Sequence, residues 1–370
     1  MIQLDRRIFV HFDFILILLI LPIIAISYFL VYELHPSLAH KQLLYYGMGA
    51  VAFFVFFLVP IRKLLWLIPF FYWINIALLL SVYFVGVKKL GAQRWIELPL
   101  VHFTIQPSEI MKIAFIMMLA YLIYQHPPDE QRGYGVKDFA KFSFYILLPF
   151  ILIAKEPDLG SALILLFVGY GVLFIIGVNY KIWLSILVAL AVSAPLIYAN
   201  LKPYQKKRIS DFLSEKPSYH VRQSIIAIGS GGLTGQSKEN ATQTHLKFLP
   251  IAVSDFIFSF YIERFGFWGG VVLITFYALL IIYLMMMVLY MKSNYLIQSV
   301  AASLALLIFL YSGVNIAMTL GYAPVVGLPL PFFSHGGTSF ITFMILLGIL
   351  ENLLSFRHDT LYNSLKFGEE

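Results

Sequence analysis

The chain contains no cysteine and few charged residues. Without cysteine, neither a disulfide framework nor a thiolate metal site can form. Charged residues make up 12% of the 370 positions and hydrophobic residues 60%. The mean hydropathy of +0.84 lies outside the range of soluble domains. The sequence therefore predicts an all-α polytopic membrane protein.

Motifs of nucleotide and metal chemistry are missing as well. The sequence has no Gly-x-x-x-x-Gly-Lys loop for nucleotide phosphates, no His-x-x-x-His pair and no paired acidic metal motif. The net charge of +7 comes from basic residues scattered over short loops, which favours membrane lipid headgroups over nucleic acid as partners. We expect no nucleic-acid binding and no metal site.

Apolar runs long enough to cross a bilayer recur along the whole chain. The first run continues too far for a secretory signal and lacks a small-residue cleavage site, so we interpret it as a span. We expect the fifth span to be short for a full hydrocarbon core. About ten spans are predicted within a single transmembrane domain over 1–370, at 10–32, 42–60, 64–86, 109–126, 142–154, 159–178, 182–200, 262–290, 295–320 and 337–355.

Basic residues predict the orientation of these spans. With ten spans both termini lie on one side, and the loops of that side carry more Lys and Arg than the short loops opposite. The positive-inside rule places that side, and both termini, in the cytoplasm. A large loop between spans 7 and 8, at about 201–261, is then extracytoplasmic, and a helix is predicted within it from Pro217 to Gly232.

Polar residues that could carry chemistry fall into four outward-facing clusters. The first contains Arg94 and, at the start of span 4, Ser108, Glu109 and Lys112. Ser108 is placed to cap the helix, and Glu109 and Lys112 lie three residues apart on one helical face. A capped helix with an internal ion pair and a functional site are equally good interpretations, because a charge pair inside a span needs mutual neutralisation in either case.

The second and third clusters each contain a candidate carboxylate. Asp158, in the turn Glu156-Pro-Asp158, could cap span 6 or support a site. Asp255 ends the large loop just before the chain returns to the membrane. A carboxylate near lipid is costly unless it faces a cavity, so we predict Asp255 as the centre of an active site. The alternative is that Ser254 or Asp255 only caps the helix that follows.

The fourth cluster, 315–339, contains three prolines and four glycines at the end of a span. Irregular backbone at membrane depth is tolerated only where it is buried in protein or lines water. The Gly336-Gly337 step could present backbone N–H groups to an anion. His335 by itself is more typical of a structural hydrogen-bonding residue than of a catalyst.

In this order and spacing, the clusters resemble the SEDS family (shape, elongation, division and sporulation) of polytopic cell-wall polymerases, and the RodA branch fits best. The resemblance covers essentially the full chain. It is carried by Arg94-Trp-Ile96, Gln106-Pro-Ser-Glu-Ile-Met-Lys112, Glu156-Pro-Asp-Leu-Gly160, Lys202-Pro-Tyr-Gln205, Tyr219-His220 with Gln223-Ser224, Ile228-Gly-Ser-Gly-Gly-Leu233, Phe248-Leu-Pro250 with Asp255-Phe-Ile-Phe258, and Gly327-Leu-Pro-Leu-Pro331 with Gly336-Gly337.

The chain departs from the family pattern before Asp255. The family usually has an acidic residue after Leu-Pro and a His-Thr before the aspartate, where this chain has Ile251, Ala252, Val253 and Ser254. Asp255 and the Phe-Ile-Phe after it are intact. The resemblance therefore supports Asp255 but no role for a neighbouring glutamate or histidine.

The resemblance implies a peptidoglycan glycosyltransferase for cell elongation and rod shape, which polymerises lipid II, a disaccharide-pentapeptide on undecaprenyl pyrophosphate. Asp255 would be the base for the acceptor hydroxyl in an inverting transfer. At a helix start, however, the helix dipole would keep Asp255 ionised and weaken it as a base. The other implied site residues are substrate-binding Arg94, Lys112, Arg208, Gln223, Lys247 and Ser334, with Glu109 and Asp158 in support.

The resemblance also implies partners and a location. A class B penicillin-binding protein transpeptidase and the rod-shape elongation complex would be its partners in the bacterial cytoplasmic (inner) membrane. No cofactor is expected, although a divalent cation could assist the pyrophosphate. The competing classes are a lipid-linked precursor flippase or other multi-span transporter, whose critical charges should lie near the bilayer midplane, and a scaffold that only docks a partner enzyme.

Overall fold

The computed structural model describes residues 12–89, 92–98, 103–129, 131–156, 158–201, 206, 210, 219–239, 241, 253–291 and 294–356. The α-helices within these residues are α1 (Phe14–Leu34), α2 (Pro36–Leu58), α3 (Ile68–Val85), α4 (Pro107–Gln125), α5 (Val136–Lys155), α6 (Leu159–Ile176), α7 (Tyr180–Ala199), α8 (Tyr219–Gly231), α9 (Ile257–Tyr290), α10 (Tyr295–Thr319) and α11 (Gly337–Ser355). A 3-10 helix, Ile61–Leu67, leads into α3. Three short strands follow α3: β1 (Val87–Lys89), β2 (Ala92–Leu98) and β3 (Phe103–Ile105).

Each of the ten predicted spans coincides with one of these helices. In the described part of the chain, eight segments are long and apolar enough to cross a membrane, namely α1, α2, Ile61–Val85, α4, α6, α9, α10 and α11. The other two predicted spans correspond to α5, which carries charges in its first turns, and to α7. The protein is a polytopic α-helical membrane protein, and the number of about ten spans stays a prediction.

The predicted fifth span, 142–154, is the apolar part of a longer helix, and its being short as a span stays a prediction. Helix α5 has 20 residues rather than the thirteen of 142–154. At 1.5 Å per residue it is about 30 Å long, which is enough to cross a hydrocarbon core. Its first turns contain Lys137, Asp138 and Lys141, and these charges conceal a helical segment from a hydropathy pattern.

Helix α9 begins at Ile257, five residues before the predicted start of span 8, and it bends sharply at Gly266. Gly266 has a φ of 65°, in the left-handed region that favours glycine. In a straight helix Ile262 and Gly270 would lie about 12 Å apart along the axis. Here a Cβ atom on Gly270 would lie 2.5 Å from Cδ1 of Ile262, so the two segments of α9 fold towards each other.

The predicted helix in the large loop is confirmed as α8, which ends at Gly231 and is followed by Gly232 with a φ of 53°. The three strands between α3 and α4 are a feature that the all-α prediction missed. They form an antiparallel sheet in the order β1-β2-β3, with Ile96 paired with Ile105. This small sheet carries Arg94 at the extracytoplasmic end of the predicted topology.

The buried core is centred on α4, α10 and α11. Every residue of α4 from Met111 to Ala120 is buried, and α4 packs against both α10 and α11. Small polar residues of α10, such as Ser303 and Ser312, donate hydrogen bonds to carbonyls one turn earlier in their own helix. These bonds satisfy the hydroxyls inside an apolar core, as membrane burial requires.

The segment between α10 and α11, residues 321–336, is irregular and packs against α1 and α9. Ser27 of α1 donates a hydrogen bond to the carbonyl of Phe333, and Tyr277 of α9 donates one to the carbonyl of Pro331. The prediction that the backbone of the fourth cluster is irregular is confirmed. Residues 330–334 are buried in protein, whereas 321–327 are partly or fully exposed. This segment, which is most of the fourth cluster, lies beside the turn that contains Asp255.

Candidate active site

Asp255 lies in a tight turn, residues 253–256, immediately before α9. The backbone of this turn is held at successive carbonyls. The backbone N–H of His335 donates to the carbonyl of Val253 (2.8 Å), and Oγ of Ser334 donates to that of Ser254 (2.6 Å). Nδ2 of Asn315 donates to the carbonyl of Asp255 (2.9 Å). The turn is therefore fixed by α10 and by the irregular segment 321–336.

The side chain of Asp255 is half-buried, and burial raises the pKa of its carboxyl above the usual value for aspartate. A hydrogen bond from Ser254 offsets part of this shift. The capping alternative is wrong, because the N-cap of α9 is Phe256 and no side chain caps it. Burial, and not the helix dipole, sets the direction of the shift, and a raised pKa suits a base.

Gly327 connects Asp255 with the second cluster. A Cβ atom on Gly327, whose φ is 69°, would lie 3.7 Å from Oδ2 of Asp255. On the other side of this stretch, a Cβ atom on Gly160 would lie 2.9 Å from the carbonyl oxygen of Val326. The backbone at 326–328 is thus sandwiched between the Asp255 turn and the start of α6, and only glycine permits this close approach at position 160.

Asp158 holds the second cluster together. Its Oδ1 accepts a hydrogen bond from the backbone N–H of Ser161 (3.3 Å), so Asp158 caps α6. Capping was one of the two interpretations of Asp158 from the sequence. Its Oδ2 accepts from Nε2 of Gln106 (3.2 Å), and Oδ1 lies 3.8 Å from Nη1 of Arg94. Nε of Arg94 also donates to the carbonyl of Glu156 (3.2 Å). Asp158 therefore positions Arg94, whose side chain stays partly exposed.

Glu109 and Lys112 form a buried ion pair at the start of α4. Nζ of Lys112 lies 2.6 Å from Oε1 of Glu109, and the lysine side chain is almost completely buried. The same ammonium lies 4.8 Å from the ring centre of Tyr311, one turn from Asn315 on α10. The geometry favours mutual neutralisation, and contact between Lys112 and substrate stays a prediction.

The prediction that Ser108 caps α4 is wrong. The N-cap is Gln106, without a side-chain capping bond, and Pro107 occupies the first turn. Proline is well suited to the first helical position, so the helix starts before Ser108 and buries it. Oγ of Ser108 accepts a hydrogen bond from Nε2 of Gln106 (3.0 Å), which links it to Asp158.

Of the remaining predicted site residues, the structure describes Ser334 and Gln223 but not Arg208 and Lys247. Ser334 is buried, and its Oγ accepts from the backbone N–H of Leu330 (2.8 Å) while donating to Ser254, so it fixes the backbone. Gln223 lies half-buried on α8, where the neighbouring Ser224 contacts Ser259 and Thr319. Arg208 and Lys247 lie outside the described residues, as do Ile251 and Ala252. Substrate binding by these residues stays a prediction.

Two residues of the site were not singled out from the sequence. Asn315 also donates to the carbonyl of Leu328 (2.7 Å), so one amide ties the Asp255 turn to the Gly327 stretch. A side-chain amide near the end of an apolar span is a signal that could have identified it. Glu156 is buried, and burial together with the nearby Asp158 raises its pKa to about 8, against the opposing effect of Arg94. Among the described residues, no group of three His, Asp or Glu side chains could hold a metal ion.

Comparison with known proteins identifies the family of this chain. Residues 2–359 match the model of the FtsW, RodA and SpoVE family, described as cell cycle protein. The chain belongs to the FtsW/RodA/SpoVE family. Among its FtsW/RodA/SpoVE relatives, the peptidoglycan glycosyltransferase MrdB of Helicobacter pylori (strain ATCC 700392 / 26695) is 53% identical, with 98% of this chain and 94% of that protein covered.

Solved structures of similar proteins agree with the family assignment. One chain, from work on the structural coordination of polymerization and crosslinking by a peptidoglycan synthase complex, is 28% identical with a TM-score of 0.81, covering 94% of this chain and 99% of that chain. The rod shape determining protein RodA of Thermus thermophilus is 27% identical with a TM-score of 0.70, covering 94% of this chain and 98% of that chain. The fold of this FtsW/RodA/SpoVE protein is therefore that of RodA.

Proposed function

We propose that this protein is a RodA-type peptidoglycan glycosyltransferase that polymerises lipid II into glycan strands for cell elongation and rod shape. The relatives named as peptidoglycan glycosyltransferases support the activity. The observation that carries the chemical assignment is the half-buried Asp255, held on a rigid turn and with a raised pKa. A carboxylate with this environment is suited to accept a proton from an attacking hydroxyl.

The proposed reaction follows from these groups. The 4-hydroxyl of the acceptor sugar attacks the anomeric carbon of the donor and forms the glycosidic bond with inversion, while the bond from that carbon to the pyrophosphate breaks. Asp255 takes the hydroxyl proton, and undecaprenyl pyrophosphate leaves with the bonding electron pair. Arg94, held by Asp158 and still partly exposed, is the described cation best placed to support the departing charge.

The partner and the orientation extend this proposal. A similar solved chain comes from a peptidoglycan synthase complex with both polymerization and crosslinking, which supports a class B penicillin-binding protein transpeptidase as partner. We place the protein in the cytoplasmic (inner) membrane, with both termini in the cytoplasm and the Asp255 turn near the extracytoplasmic surface. The rod-shape elongation complex is the wider assembly expected for this branch.

One experiment distinguishes a polymerase from a flippase. The purified protein is reconstituted in liposomes with fluorescent lipid II, and the products are resolved by gel electrophoresis, while a membrane-impermeant quencher measures movement between leaflets. We expect glycan polymers and no protein-dependent acceleration of lipid movement. Accelerated movement without polymer would contradict the proposal and favour the flippase.

A further inference from the structure

The turn between α5 and α6 contains a buried carboxyl group that the proposed reaction does not use. Glu156 is only 2% exposed, and neither of its carboxylate oxygens has a hydrogen-bond partner among the residues that the structure describes. Burying an ionised carboxylate without a partner costs far more free energy than burying the neutral acid. The fold therefore holds Glu156 in its protonated form, and loss of that proton must be compensated by a nearby cation.

Arg94 is attached to the same turn. Its Nε donates to the backbone carbonyl of Glu156 (3.2 Å), and its Nη1 lies 3.8 Å from Oδ1 of Asp158. At 3.8 Å the contact with Asp158 is an ion pair but not a hydrogen bond. The arginine side chain also stays 27% exposed. Its guanidinium is therefore anchored beside Glu156 and still reaches the side of the turn where an anionic substrate can bind.

Groups on three described elements act on the carboxyl of Glu156. Asp158, at the start of α6, has the same charge and disfavours its ionisation, whereas Arg94 of β2 favours it. Tyr83 of α3 also interacts with Glu156 electrostatically. The neighbouring Lys155 is exposed to solvent. Because burial and Asp158 outweigh Arg94, the pKa of Glu156 is raised to about 8, and Arg94 is the cation that an ionised Glu156 would draw in.

We propose that Glu156 is a positioning residue whose ionisation controls Arg94. While the carboxyl of Glu156 is protonated, Arg94 is available to the pyrophosphate of the substrate. Once the carboxyl is ionised, it draws the guanidinium onto the turn and away from the substrate. This assignment rests on the proposed function, in which Arg94 supports the departing pyrophosphate.

Competition for one guanidinium is the physical reason. Arginine stays protonated far above pH 8, so ionisation of Glu156 changes the partner of Arg94 and not its charge. A buried carboxylate attracts the guanidinium more strongly than an exposed anion does, because water screens it less. Substrate binding is therefore complete while Glu156 is neutral and weakens as the pH rises through about 8.

The pH dependence of polymerisation tests the assignment. Kinetics with lipid II in liposomes are compared at pH 7 and pH 9 for wild type, Glu156→Gln and Glu239→Gln. Glutamine keeps the shape of the neutral acid but cannot ionise, and Glu239→Gln is the matched control because Glu239 is exposed in the loop after α8. One pH unit above a pKa of about 8, roughly a tenth of Glu156 stays protonated, so we expect KM to rise about tenfold in wild type and control. KM of Glu156→Gln should change less than about twofold, and kcat should change equally little in all three proteins.

The division between KM and kcat separates control of Arg94 from a merely structural effect. If ionisation of Glu156 only unfolded part of the protein, kcat would fall at pH 9 and KM would stay constant. That result would overturn the assignment. So would a wild-type KM that is the same at both pH values, or a KM of Glu156→Gln that rises as much as that of wild type.

A binding measurement keeps this assignment separate from the proposed function. The affinity of the three purified proteins for radioactive undecaprenyl pyrophosphate is measured in detergent at pH 7 and pH 9. Ionisation of the ligand is common to all three, so we expect wild type and Glu239→Gln to lose about tenfold more affinity than Glu156→Gln. If wild type makes no polymer at either pH, the proposed function fails and this comparison alone decides the role of Glu156. An equal change of affinity in wild type and Glu156→Gln would overturn that role.

Discussion

At the scale of single residues, the charged side chains of the candidate site form ion pairs with each other. The ion pair of Glu109 with Lys112 was predicted from the sequence, because a three-residue spacing on a helix brings two side chains together. The pairing of Arg94 with Asp158 was not, because 64 positions separate them and only the folded backbone joins them. Asp255 was predicted because a carboxylate beside a span is rare, and its catalytic role stays a proposal. Its raised pKa depends on burial that no sequence pattern contains.

The pair of Glu109 and Lys112 should behave as a unit. Removing one partner leaves a buried charge without compensation, so Glu109→Gln or Lys112→Met should lower the free energy of unfolding by about 3–5 kcal/mol. The double exchange Glu109→Lys/Lys112→Glu should recover part of that loss. Thermal unfolding in detergent measures this, with the exposed Asp138→Asn as the control that should match wild type.

Polymerisation by the same variants separates two roles. If the exchange restores both stability and activity, the pair is structural. If it restores stability alone, Lys112 contacts the pyrophosphate, because the cation has moved by a turn. Wild-type stability and activity in every single variant would contradict both roles.

Glu156 should make the stability of the protein depend on pH. Its pKa is about 8 in the folded protein and near 4.5 when unfolded, so the folded state binds the proton more tightly. Stability from this group is complete below about pH 4.5 and is lost as the pH rises through 8.

Glu156→Gln removes this titration. We expect the variant to match wild type in melting temperature near pH 5 and to exceed it near pH 8.5. Comparing the two proteins over that range isolates the contribution of Glu156 from other groups. A constant difference at all pH values would show that the carboxyl does not titrate as inferred.

At the scale of elements, the helices could be predicted and their distortions could not. Apolar length predicted a helix at each of the ten positions, with most boundaries within a few residues, because bilayer thickness fixes how long a span must be. The bend of α9 escaped prediction, since a single glycine seldom turns a helix so sharply. The strands β1–β3 escaped it too, because a short sheet in a loop has no hydropathy signal.

The bend of α9 is held by an ion pair with α1. Nε and Nη2 of Arg264 bond both carboxylate oxygens of Glu33, at 2.6 and 3.2 Å, and Nη1 of Arg264 donates to the carbonyl of Gln236. Both charged side chains are largely buried. This two-point contact fixes the segment of α9 that follows Asp255.

Arg264→Lys should therefore reduce both stability and polymerisation. Lysine keeps the charge but cannot bond both oxygens, so we expect a loss of about 1–3 kcal/mol in unfolding free energy and a smaller effect than Arg264→Gln. The exposed Arg222→Lys on α8 is the control. Equal behaviour of Arg264→Lys and the control in thermal unfolding and in polymerisation would contradict a role for this pair in holding the bend.

At the scale of the whole molecule, the orientation in the membrane decides which side of the bilayer the Asp255 turn faces. The Lys and Arg bias predicts that the loop around Arg132 is cytoplasmic and that Lys206 and Lys238 are extracytoplasmic. Because the chain has no cysteine, single cysteines introduced at these positions can be labelled with a membrane-impermeant maleimide. In intact spheroplasts we expect labelling at 206 and 238 but not at 132, and the reverse pattern would invert the topology.

Asp255→Asn tests most directly whether catalysis by this fold depends on the carboxylate of Asp255. The substitution keeps the shape of the side chain but removes its ability to accept a proton, so the protein should fold and melt like wild type. Asp129→Asn, in an exposed loop, is the matched control and should keep full activity.

The measurement is the rate of glycan polymer formation from lipid II by the purified protein in liposomes, under conditions in which wild type is active. Loss of a general base predicts a decrease of about a hundredfold or more for Asp255→Asn. A folded Asp255→Asn protein that kept more than about a few per cent of the wild-type rate would contradict the assignment of Asp255 as the catalytic base.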